Sequence, residues 1–130
     1  MSSRRDVLRI FSLCAGVLAG LPRLLQAGKL ALGLDKAEKL KKVGGSALLK
    51  IKERELLFVR ESEDSIRVLD PTCTHKKCTV EYHAEAKALI CPCHGSTYDL
   101  EGKVLKGPAE KPLKAFEAKL SDDKIIFSLD

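Results

Sequence analysis

The chain has 130 residues, five of them cysteine, and a formal net charge of +5. That length allows one small domain plus an extension, and so small a core gains from a covalent staple or a bound metal. Residues 1–30 hold five Lys/Arg against Asp6 alone, whereas residues 31–130 hold 18 against 17 acids. The folded part is thus nearly neutral and has no basic stripe, which argues against nucleic acid as a partner.

The N-terminal stretch reads as an address. Ser3-Arg4-Arg5-Asp6-Val7-Leu8-Arg9 leads into an apolar run from Ile10 to Leu21, closed by Pro22 and Arg23. Twelve helical residues rise about 18 Å, short of the roughly 30 Å hydrocarbon core, so the run suits the h-region of an export signal. A retained membrane anchor extending to Leu34 is the alternative. The paired arginines resemble the bacterial twin-arginine export motif, which serves folded proteins and so suits a cofactor inserted before export. Leu13 stands where a lipoprotein needs a small residue, so Cys14 reads as an apolar residue of the h-region. Residues 1–34 are expected to form this signal or anchor helix with its linker, and residues 35–130 the domain.

The polar stretch DKAEKLKKVGGS follows, and then seven short runs of strand character. They are 47–51, 56–59, 66–69, 79–82, 88–90, 113–120 and 125–129. Turn residues separate them, among them Gly44-Gly45-Ser46, Glu101-Gly102, Gly107-Pro108 and Asp122-Asp123. Short strands with polar turns predict an all-β fold, a small antiparallel sandwich or barrel. Gly44-Gly45 reads as a tight turn before the first strand.

Four of the five cysteines and two of the three histidines crowd into CTHKKC (73–78) and CPCHGSTYD (91–99). Cys73, His75, Cys91 and His94 offer two thiolates and two imidazoles, a set that a single tetrahedral zinc would accept. Zinc leaves Cys78 and Cys93 unexplained. A bond between them would tie the two loops together and close a loop of about 15 residues, worth roughly 3 kcal/mol in the chain-entropy account. Such a bond needs the oxidising compartment that the export signal independently predicts.

C-x-H-x-x-C followed by C-x-C-H-G-S resembles the Rieske iron–sulfur proteins, in particular the high-potential, disulfide-containing branch of the quinol–cytochrome c oxidoreductases. GPAEKPL (107–113) resembles that family's proline-bearing loop over the cluster. The resemblance implies a Rieske-type domain with a cluster-binding loop subdomain. It implies a [2Fe-2S] cluster whose inner iron is held by Cys73 and Cys91 and whose outer iron is held by His75 and His94. It further implies a Cys78–Cys93 disulfide, close backbone approach at Gly95, and hydrogen bonds from Ser96 and Tyr98 to a bridging sulfide and a cysteine sulfur. Neutral imidazoles in place of thiolates raise the potential into the range of about −150 to +300 mV. Negative charge added beside the histidines draws a proton toward them, so an electron travels with a proton.

The activity implied is that of a Rieske subunit. His94 is its catalytic contact with quinol, a cytochrome b-type membrane subunit is its neighbour, and a c-type cytochrome is its electron acceptor. The head would stand on the periplasmic face of a bacterial cytoplasmic membrane. The alternative is a small exported Rieske subunit or carrier of another oxidoreductase, of the arsenite-oxidase type, without quinol contact. One feature departs from the family pattern. Many quinol-oxidoreductase members have an apolar residue and then glycine after the first ligand histidine, where this chain has Lys76-Lys77. That puts the usual docking on cytochrome b in doubt.

Overall fold

The computed structural model describes residues 28–129. The twin-arginine stretch and the apolar run of the expected signal or anchor lie outside these residues. No helix among the described residues is long and apolar enough to cross a membrane.

The chain forms three antiparallel sheets. The central one orders β2 (Ser46–Ile51), β3 (Arg54–Arg60), β4 (Ile66–Leu69) and β9 (Ala115–Phe116). RELLFVR runs apolar without alternating because β3 is covered on both faces. Leu56 and Phe58 pack in one layer with Ile125 and Phe127, while Leu57 and Val59 pack in the other with Leu89 and Tyr98. The first layer is closed by β1 (Lys29–Gly33), β11 (Lys124–Ser128) and β10 (Ala118–Ser121), paired in that order. The second carries the two cysteine- and histidine-bearing loops on β5 (Glu81–His83), β6 (Ala88–Ile90), β7 (Thr97–Tyr98) and β8 (Val104–Lys106). The all-β expectation holds.

Several elements differ from the sequence expectation, each for a physical reason. Residues 29–33, expected in the linker, are strand β1 and pair residue by residue with β11. Their alternation places Leu30 and Leu32 against the core cluster of Phe58 and Phe127. The stretch expected as polar holds two 3₁₀ helices, Leu34–Lys36 and Glu38–Lys41. Leu34, Ala37 and Leu40 recur every third residue, the period of a 3₁₀ turn, and all three are buried. The run 113–120 breaks at Glu117, so Ala115–Phe116 pairs with β4 and Ala118–Ser121 with β11. Between β2 and β3, Lys52 and Glu53 both take positive φ, at 49° and 69°, the signature of a two-residue hairpin that glycine or asparagine would announce.

Gly44-Gly45 is a turn pinned to the sheet. The Gly44 amide donates to the Arg60 carbonyl and the Arg60 amide to the Gly45 carbonyl. The Arg60 side chain, 8% exposed, donates to the carbonyls of Leu40, Ser62 and Glu63 at 2.8 Å each, so this buried charge is satisfied and locks the 3₁₀ turns to β3.

Candidate metal centre

Two loops leave the third sheet with the same backbone turn. In the first, the Cys73 amide donates to the Cys78 carbonyl and the Lys77 amide to the Cys73 carbonyl. In the second, the Cys91 amide donates to the Ser96 carbonyl and the Gly95 amide to the Cys91 carbonyl. In both, the residue four beyond the cysteine has a left-handed backbone: Lys77 at φ 60° and Gly95 at φ 81°. Gly95 supplies that conformation without the cost that a Cβ imposes. A Cβ at Gly95 would find no protein atom within 4 Å, so what the fold asks of Gly95 is its φ. Lys77 bears the cost, about 1–2 kcal/mol for a left-handed residue.

The paired turns bring the candidate ligands together. Cys73 and Cys91 are unpaired thiols, each 1% exposed. His75 is half-buried and His94 exposed, their rings edge to face with centroids 4.9 Å apart. Cys78 and Cys93 are joined in a disulfide that ties the loops side by side. The Cys91 sulfur lies within 4.8 Å of both disulfide sulfurs, but those two are bonded to each other, which leaves Cys91 as the ligand of that trio.

The electrostatics suit a metal cluster. Burial pushes the Cys73 thiol up, yet the Tyr98 hydroxyl, the backbone at His75 and Lys76 and the Cys91 thiol outweigh it and bring Cys73 down to about 7. A thiolate is then accessible at neutral pH, and the thiolate is the form that binds metal. His75 Nδ1 is buried and has no hydrogen-bond partner. A buried, orphaned imidazole nitrogen two residues from the buried Cys73 thiol is a donor that a bound metal would satisfy.

A third segment closes over the site. The loop 107–112, with its Gly107–Pro108 bond cis, is tied to both metal-binding loops. The Ala109 amide donates to Ser96 Oγ at 3.0 Å, and Thr74 Oγ1 donates to the Lys111 carbonyl at 2.7 Å. Ser96 is fully buried, and because its oxygen accepts from Ala109 its own proton stays available to an acceptor in the site. The Tyr98 hydroxyl stands 3.4 Å from Cys73 Sγ and 3.1 Å from Thr74 Oγ1, and it accepts from the Thr74 amide at 3.3 Å. Burial and the neighbouring Cys73 thiol raise the Tyr98 pKa, so the phenol stays protonated, and because Thr74 gives its own proton to Lys111, the one Tyr98 proton is shared between Thr74 Oγ1 and Cys73 Sγ. Sequence reasoning missed Thr74. The signal was a hydroxyl residue lodged between Cys73 and His75. An open cleft of about 330 Å³, lined by Thr74, His75 and the 108–111 segment, lies beside the site.

A family model for the Rieske [2Fe-2S] domain matches residues 33–117. The chain belongs to this family, and its cofactor is the [2Fe-2S] cluster; a lone zinc is set aside. It is 47% identical over 60 residues to the cytochrome b6-f complex iron-sulfur subunit of Trichodesmium erythraeum, covering 46% of this chain and 34% of that one. It is 36% identical over 89 residues to the corresponding subunit of Prochlorococcus marinus, covering 66% and 50%. The chain therefore spans half or less of the length of these curated relatives. Among solved structures, the cyanobacterial plasma membrane Rieske protein of Synechocystis matches with a TM-score of 0.61 at 27% identity, over 76% of this chain and 98% of that one. A chain of a hyperthermophilic respiratory Complex III matches with a TM-score of 0.58 at 23% identity over 95% and 92%, a likeness of fold.

Proposed function

We propose that this protein is the Rieske subunit of a quinol-oxidising, cytochrome b-type membrane complex, with Cys73, Cys91, His75 and His94 as its cluster ligands. The carrying observation is the exposed His94 beside half-buried His75, on a tip that the Cys78–Cys93 disulfide holds rigid and whose cysteines are buried. When bound, the cluster supplies a one-electron acceptor. The residues around it do the rest. His94, open to solvent, accepts the hydrogen bond of a quinol hydroxyl and takes up its proton, while the buried thiols keep water from the inner side. Ser96 and Tyr98 aim hydroxyl protons into the site and favour added negative charge there. The iron-sulfur subunits named above support a cytochrome b-type neighbour and a c-type cytochrome as acceptor. The N-terminal twin-arginine stretch supports export, with the head on the periplasmic face of the cytoplasmic membrane.

The midpoint potential, followed from about pH 6 to 10, tests this reading. It should fall as pH rises, because the reduced form binds protons more tightly. A flat profile would remove the proton coupling that quinol oxidation needs. Lys76-Lys77 favours the second reading, a carrier of another oxidoreductase. Copurification from membranes with a cytochrome b supports the first, and copurification with a molybdenum-containing subunit the second.

A further inference from the structure

The two metal-binding loops share one backbone turn, and they differ in what stands at its left-handed position. The second loop uses Gly95, which meets that φ freely, while the first uses Lys77 at φ 60°. Lysine also takes a left-handed backbone in the turns at Lys52 and Lys87, so what sets Lys77 apart is its place beside the site, where it puts a charge that glycine would not. Lys77 does not stand alone. Lys76 adjoins it, Lys106 immediately precedes the proline-bearing loop that closes over the site, and Lys111 lies within that loop. All four are exposed, and among the described residues none has an ion-pair partner.

Across the three tip segments, 73–78, 91–96 and 105–112, four lysines face one acid, Glu110, for a net +3. The rest of residues 31–130 holds 14 Lys/Arg against 16 acids, a net −2. Residues 31–130 are thus electrically polarised, with the excess positive charge on the segments that carry and surround the exposed His94. We propose that this basic collar is the docking surface for an acidic face of the protein that exchanges electrons with the tip. This inference rests on the electron-transfer reading above and adds the partner's charge. Opposite poles pre-orient the two molecules with the imidazole edge inward before contact. Leu105, 61% exposed, is the large apolar residue of the collar, too little apolar surface for insertion into lipid but ordinary within a charged rim.

The test uses one c-type cytochrome in two forms, native and basic, or with its lysines succinylated and therefore acidic. The oxidised full-length protein should elute from a column of the immobilised acidic form at higher salt than from the basic form. Reduced protein should transfer its electron to the acidic form faster, by about tenfold at low ionic strength, and high salt should erase the difference. Lys76→Gln with Lys77→Gln should lower the eluting salt and remove the preference, while the basic N-terminal segment stays common to all variants. Equal elution and equal rates for the two cytochromes, or no change in the double variant, overturn the proposal. So does binding to phosphatidylglycerol vesicles that the double variant loses when neither cytochrome is preferred. If the potential keeps its pH dependence in those cases, only the collar fails. A flat potential with the charge preference intact would sink the quinol reading instead.

Discussion

Strands β2 and β3 pair over six residues in unbroken register, whereas the strands that carry the metal-binding loops pair over two or three. The base is held by apolar layers. Phe58 and Phe127 meet edge to face at 5.3 Å inside the layer that β3 shares with β11. The tip counts Cys73, Cys91 and Tyr98 among its buried residues, so part of its core is the candidate metal site. Its segments are joined by a disulfide and by the bonds from the Ala109 amide to Ser96 and from Thr74 to the Lys111 carbonyl. Short ladders bury little and leave few cooperative bonds, so the tip relies on crosslinks and a cofactor where the base relies on area. This division puts the candidate ligands on a small crosslinked cap above the sheets.

The comparison breaks most visibly at the ligands. Cys73→Ala, Cys91→Ala, His75→Ala or His94→Ala should each empty the tip of its cluster, taking iron and acid-labile sulfide from about two per chain to none. Amide hydrogen exchange along β3 should nevertheless stay protected. Loss of protection throughout β3 would mean that base and tip fold as one unit.

A cut in the base should do the reverse. Phe58→Ala removes a fully buried ring and should cost about 3–5 kcal/mol in denaturant unfolding. Folded protein below the transition should keep the parent midpoint potential. A large shift in potential would show that base packing reaches the site.

The finest test lies within the tip. Ser96→Ala and Tyr98→Phe should keep the cluster and lower its potential by some tens of millivolts, since a hydrogen bond to a charged group is worth about 1.5–3 kcal/mol and only part of it is specific to the added electron. For a one-electron couple about 59 mV is a tenfold change in equilibrium. Parent potentials in both variants would make these hydroxyls structural ties to Ala109 and Thr74 only.

Much of this was open to local reading. The donors Cys73, His75, Cys91 and His94 and the pair Cys78 and Cys93 stand out because thiols and imidazoles have few other reasons to crowd into two short stretches. Strands β2, β3, β4, β6 and β11 were legible because their apolar runs are bounded by turn residues. Strands β7 and β8, two and three residues long, are too short to carry a pattern. The Lys52-Glu53 hairpin hid because its positive φ values fall on residues that do not advertise them.

By itself, then, the sequence determined the donor chemistry and the strand-rich class, since both depend on residue types and spacings within a few positions. Only the tertiary structure decided that β1 closes the base against β11, that the run 113–120 divides between two sheets, and that Thr74 ties the proline-bearing loop to the Tyr98 hydroxyl. It alone distinguished half-buried His75, its Nδ1 turned into the protein, from exposed His94. Each of these depends on a partner tens of residues away. A strand's edge or a hydroxyl's proton is committed only when the whole chain has packed, and no local periodicity records which distant group will meet it.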